Sequence, residues 1–158
     1  MDFMEILDLK DEMTPDLILK NLKILYADRA PEGTTPRGDI QVLRPEFISY
    51  GDNTVRVKFP VEQWQLNGID ILQGGVMSYM MDCVLGSMTY VHSGGPVATI
   101  DMTANYLKAV SLKDPYVVVE ARILNETRTM LHAFAKLENS AGETAVTATS
   151  NIMKLKRK

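Results

Sequence analysis

The sequence predicts an α+β fold in which an antiparallel β-sheet wraps around one long central helix. Three observations lead there. The run Gly75 to Tyr90 is apolar at helical spacing and holds a single charge. Strand-like segments lie on both sides of it. Those strands follow one another without intervening helices, whereas a parallel sheet would need βαβ alternation. A chain of 158 residues fits one ordinary domain with a core of its own.

Thr14-Pro15-Asp16 reads as an N-cap, a proline at the first helical position and an early acid, so a helix should run from there to about Asp28. Pro31, Gly33 and Pro36 make Arg29 to Arg37 a loop. Residues 1–38 therefore form an N-terminal helical segment and loop, ahead of a main domain over 39–158. Strands are expected at Ile40 to Tyr50 and Thr54 to Pro60, joined by the turn Gly51-Asp52-Asn53. Beyond the central helix, Val97 to Leu107 alternates strictly. Ala98, Ile100, Met102, Ala104 and Tyr106 fall on one face; Thr99, Asp101, Thr103 and Asn105 fall on the other. Tyr116 to Leu124 keeps Val117, Val119, Ala121 and Ile123 in phase. Arg128 to Glu138 and Glu143 to Leu155 form a hairpin around Ser140-Ala141-Gly142.

Composition narrows the function. With 46% hydrophobic and 23% charged residues the chain has a globular profile. A net charge of -3 supplies no field to attract nucleic acid. The basic cluster Lys154, Lys156, Arg157 and Lys158 reads as a solvated tail. Cys83 is the single cysteine, so no internal disulfide is expected and a reducing compartment is. Met1 to Lys10 mixes acids and lysine among apolar residues, unlike a signal peptide. Gly74 to Val91 is interrupted by Asp82, Gly86 and hydroxyls, which argues for a core helix and against a membrane span. Cytoplasmic location follows as the expectation. His92 and His132 lie far apart without companion ligands, so neither a metal site nor a cofactor is expected.

The central helix carries the chemistry. Val76, Met77, Met80, Met81, Val84, Leu85 and Met88 form an apolar stripe; Gly75, Ser78, Tyr79, Asp82 and Gly86 share the opposite side. A carboxylate on so apolar a helix must be hydrogen-bonded, paired or at a cleft, because burying it alone is costly. Periodicity by itself also fits an acid on a solvent-facing edge. Just upstream, Gln73-Gly74-Gly75 places glycines at the helix N-terminus, where unpaired N–H groups and the positive dipole end face outward. One such donor aimed at a developing oxyanion is worth ~3–4 kcal/mol in rate. Gly74 and Asp82 together describe an acyl-transfer site: a donor for a carbonyl and a base for water. Cys83 points about 100° away from Asp82 and reads as a core cysteine.

The run Asn67-Gly68-Ile69-Asp70-Ile71-Leu72-Gln73-Gly74-Gly75, then Asp82, then Thr99-Ile100-Asp101-Met102 leading to Asn105-Tyr106-Leu107, resembles the hotdog-fold thioesterases of the phenylacetate-pathway type over about Gly51 to Leu155. That family's pattern is an Asn, a His-Gly-Gly six residues later, an Asp nine after the His, and a strand ending in Tyr-Leu. The resemblance implies an acyl-CoA thioesterase of hotdog fold. It implies that Gly74 donates its backbone N–H to the thioester carbonyl, that Asp82 activates water or attacks, that Asn67 holds the water or thioester, and that Thr99 helps place the water. It further implies sites built across a homodimer interface, with dimers pairing into tetramers. The family histidine is Gln73 here. Glutamine hydrogen-bonds but cannot titrate near neutral pH, so a non-catalytic acyl-CoA-binding module stands as the alternative. Gly75 and Ser78 leave room for substrate, and Lys108, Lys113 and Arg128, near strand ends, are candidate partners for the phosphates of coenzyme A.

Overall fold

The computed structural model of the chain describes residues 3–27, 32–34 and 37–156. Its elements are α1 (Pro15–Leu25), α2 (Gly38–Leu43), β1 (Glu46–Gly51), β2 (Thr54–Pro60), α3 (Gly74–His92), β3 (Val97–Tyr106), β4 (Tyr116–Glu126), β5 (Met130–Glu138) and β6 (Thr144–Lys154). The six strands form one antiparallel sheet in the order β1-β2-β4-β5-β6-β3. Helix α3 lies against five of them, β2 to β6. The α+β expectation is met, and α3 extends beyond its predicted ends to Gly74 and His92.

Period-2 burial explains the sheet. Val55, Val57 and Phe59 of β2, Val117, Val119 and Ala121 of β4, and Leu131, Ala133, Ala135 and Leu137 of β5 are buried against Met77, Met80, Met81, Val84, Leu85 and Met88 of α3. The β1–β2 turn is tight because Asp52 and Asn53 both take positive φ, +49° and +54°, the geometry that matches hairpin twist. Gly142, at φ +81°, serves the β5–β6 turn.

Three expectations need correcting. The strand predicted from Ile40 begins only at Glu46, because Gly38–Leu43 forms the short helix α2 and Arg44 ends it at φ +48°. Pro45, without an N–H, separates the two conformations. The strict alternation of β3 breaks between Thr99 and Asp101, where a bulge shifts the register with β6. Thr99 then pairs with buried Ile152 and shares the helix-facing side with Met102 and Ala104, while Ile100 is 54% exposed. Finally, Lys154 is no tail residue: it closes β6 and pairs with Glu126. Asp28, Pro31, Pro36, Arg157 and Lys158 lie outside the described residues.

The residues ahead of α1 are tied to that helix by Asn21. This side chain is fully buried; its Oδ1 accepts from the Asp8 amide and its Nδ2 donates to the Asp8 carbonyl, both at 2.8 Å. Asn21→Ala strands two backbone groups, so it should cost about 2 kcal/mol of unfolding free energy. Urea denaturation checks this, with a midpoint shift and an unchanged slope expected.

Candidate active site

Asp82 sits in the middle of α3, half-buried, and its Oδ1 accepts a hydrogen bond from Thr99 Oγ1 at 2.9 Å. The bulge in β3 makes that contact possible by turning Thr99 toward the helix. Asp82 lines a cavity of about 410 Å³ together with Tyr79, Cys83, Gly86 and Ser87. A Cβ built on Gly86 would meet nothing within 4 Å, so the helix is open there.

Gly74 is the first residue of α3, where an N–H has no intrahelical acceptor. Gln73, at ψ 137°, is extended and makes no side-chain cap. Its Nε2 instead donates to the Leu66 carbonyl at 3.1 Å and its amide donates to the Gln65 carbonyl at 3.0 Å, bracing the loop that leads into the helix. Asn67 holds the same loop: its Oδ1 accepts from the amides of Ile69 and Ile71 at 3.0 and 3.2 Å. With the oxygen so committed, Nδ2 is the part of Asn67 left to face a ligand. Asn67, Gly74, Tyr106 and Lys108 line a second cleft, of about 320 Å³.

Tyr106 is the residue that sequence reasoning missed here. Its hydroxyl donates to the Gly74 carbonyl at 3.1 Å and lies 2.6 Å from Ser78 Oγ, and its ring would lie 3.1–3.2 Å from a Cβ at Gly74. A side chain at 74 would therefore crowd the ring, which would have to give by a few tenths of an ångström. The signal was available in β3's alternation, which put Tyr106 in phase with Met102 and Ala104. Ser78, expected to touch substrate, is engaged by Tyr106, whereas Gly75 is exposed with open space around it.

The anticipated residues do not all converge within one subunit. Gly74 and Asp82 are eight residues apart on one helix, about 12 Å along its axis, and they line different cavities. Lys108 borders the Gly74 cleft and pairs with Glu143, beside the start of β6. Arg128 lies exposed in the β4–β5 turn at the far end of β6, where Lys154 meets Thr129, so the two cations are about 30 Å apart along the strand. Asp101 faces away from the helix and accepts from Asn151 at 2.8 Å. His132 contacts Asn151 on the same outer face. Cys83 is buried, burial raises its thiol's pKa, and Sγ donates to Asp39 at 3.2 Å, which makes it a poor nucleophile. No cluster of His, Cys, Asp and Glu able to hold a metal occurs among the described residues, and none of their helices is long and apolar enough to cross a membrane.

The sequence profile of the thioesterase superfamily matches residues 70–156, more than half of the chain and all of α3 to β6. The chain belongs to the thioesterase superfamily. Its sheet around a central helix is the hotdog fold, and solved structures share it. A hypothetical thioesterase protein of Streptococcus pneumoniae TIGR4, solved with coenzyme A, matches this superfamily member over 87% of its chain and 98% of the neighbour's, at 21% identity and a TM-score of 0.70. A Streptococcus mutans UA159 protein bound to acetyl CoA matches over 72% and 91%, at 24% identity and a TM-score of 0.65. The PaaI protein of the Escherichia coli phenylacetic acid degradation operon matches over 73% and 87%, at 16% identity and a TM-score of 0.67. No curated protein sequence matches the chain.

Proposed function

We propose that the protein hydrolyses an acyl-CoA thioester, with Asp82 as the base that activates water and the Gly74 amide as the donor that polarises the carbonyl. The observation that carries this reading is the Asp82 carboxylate, held by Thr99 at a cavity on an otherwise apolar helix. In the reaction, Asp82 takes a proton from water and the hydroxide adds to the thioester carbon. The oxyanion accepts from Gly74 N–H. Collapse breaks the C–S bond, and the coenzyme A thiolate leaves and takes up a proton. A thiolate is a good leaving group, so Gln73 in place of a titratable histidine is compatible with turnover.

Since Gly74 and Asp82 lie too far apart on one helix for a single thioester, the working site pairs Gly74 and Asn67 of one subunit with Asp82 and Thr99 of another. Strand β3 is an edge of the sheet, and Ile100 and Tyr106 on it and Leu107 just beyond it are 51–63% exposed, which suits pairing of two copies. A homodimer or dimer of dimers results. Lys108, at the Gly74 cleft, is placed to meet a phosphate of coenzyme A, and Arg128 could do so only from another subunit. Structures of the Streptococcus pneumoniae neighbour include one with an aspartate and one with a threonine changed to alanine, the two residue types that meet here at Asp82 and Thr99.

Thiol release from a panel of acyl-CoA thioesters, followed with a thiol-trapping dye, tests the proposal. Turnover of at least one thioester is expected; tight binding with no release would favour the non-catalytic module. Thr99→Val should lower kcat about tenfold, because the carboxylate and the water it activates lose the hydroxyl that orients them, and ~1.4 kcal/mol of lost transition-state stabilisation is tenfold in rate. Thr99 is exposed, so the melting temperature should hold.

A further inference from the structure

The cavity beside Asp82 is not made by the superfamily-matched region alone. Part of its wall comes from residues ahead of position 70: Met4, Leu25, and Arg37 and Asp39 at the start of α2. Arg37 Nε donates to Asp39 Oδ1 at 3.0 Å, Nη2 pairs with Asp39 Oδ2, and Nη1 donates to Ser87 Oγ at 3.3 Å. Cys83 Sγ donates to the same Asp39 carboxylate. Both charged side chains are shielded, at 21% and 17% exposure. The Tyr26 hydroxyl is buried beside Ser87 and this cluster. A shielded ion pair stabilises a fold no better than apolar residues of the same shape. Its position on the wall of a cavity that holds the reactive carboxylate therefore points to a ligand.

We infer that Arg37, Asp39 and Ser87 form one wall of the acyl chamber and select acyl groups that end in a neutral hydrogen-bonding group, a hydroxyl or carbonyl, over plain alkyl chains. The inference rests on the reading of Asp82 as the place of the thioester carbonyl. Three of the five guanidinium N–H groups of Arg37 are engaged, which leaves two donors for a ligand. An alkyl end would cover them without replacing water, and that costs affinity. A second carboxylate would meet Asp39. Ser87 lies five residues beyond Asp82, about 7.5 Å along the helix axis and about 140° around it, and both residues line the same cavity.

The pair of probes is hexanoyl-CoA and 6-hydroxyhexanoyl-CoA, which differ by one oxygen. Wild type should prefer the hydroxylated thioester in kcat/KM by about tenfold or more, because a site built to hydrogen-bond a hydroxyl rejects its absence. The double variant Arg37→Met, Asp39→Leu should bring the preference below about twofold, mainly by losing rate on the hydroxylated probe. Arg37→Lys, with fewer and differently placed donors, should show a reduced preference if the double variant does not fold. Equal kcat/KM for the two probes in wild type, or an unchanged preference in the variants, would overturn the inference. Calorimetric binding of both thioesters to Asp82→Asn reads the same preference without turnover. A protein that hydrolyses neither probe yet binds the hydroxylated one more tightly defeats the thioesterase reading and keeps the chamber; equal binding defeats the chamber alone.

Discussion

Asp82→Asn should lower kcat for thioester hydrolysis by about 10²–10⁴-fold, the range a positioned general base supplies. Asparagine has nearly the same shape, and its Oδ1 can still accept the hydrogen bond that Thr99 Oγ1 makes to Asp82 at 2.9 Å. What disappears is the ability to take a proton from water. Asp82 is half-buried and no cation pairs with it among the described residues, so neutralising it strands no buried charge. Unfolding free energy should therefore stay within about 0.5–1 kcal/mol of wild type, and KM should change little. Steady-state thiol release together with a thermal melt separates the outcomes. A rate within a few-fold of wild type would mean that water is activated elsewhere. A raised KM at constant kcat would make Asp82 a binding group.

Much of this arrangement was legible from residue order. The apolar stripe of α3 and the in-phase valines of β4 predict which faces are buried, because a buried face enforces its period over many residues. Asp82 stood out because nothing else between Gly74 and Val91 is charged. The failures have local or long-range causes. Ile40 to Leu43 is too short for periodicity to separate a helix from a strand, and Pro45 was the neglected cue. The bulge at Ile100 has no sequence signature, yet it brings Thr99 to Asp82. Arg37 and Asp39 reach Ser87 and Cys83 from more than forty residues away, so only folding brings them to the chamber. Lys108 and Arg128 were both placed near strand ends, but antiparallel order puts those ends on opposite sides of the sheet.

Gly74→Pro should cost about 10²–10³-fold in kcat, the loss expected on deleting one oxyanion donor, whereas Gly74→Ala should cost far less. Proline is well tolerated at the first position of a helix, where its missing N–H has no intrahelical partner. The residue before a proline must be extended, and Gln73 already is, at φ -62° and ψ 137°. Both substitutions add a Cβ 3.1–3.2 Å from the Tyr106 ring, so each forces the ring to give by a few tenths of an ångström. Alanine is thus the control for crowding of the Tyr106 ring by a Cβ, and the difference between the two variants reports the loss of the N–H together with the ring carbon that replaces its hydrogen. If alanine and proline lose rate equally, the amide is not the donor. The same variants locate the site between subunits. In an equimolar mixture that exchanges freely, half of the dimers are mixed. Each mixed dimer of Gly74→Pro with Asp82→Asn holds one site with both groups intact and one with neither. Activity should recover to about a quarter of wild type, although each parent is nearly inactive. No recovery after verified subunit exchange would place both groups in one subunit's site, which their separation along α3 does not allow for a single thioester.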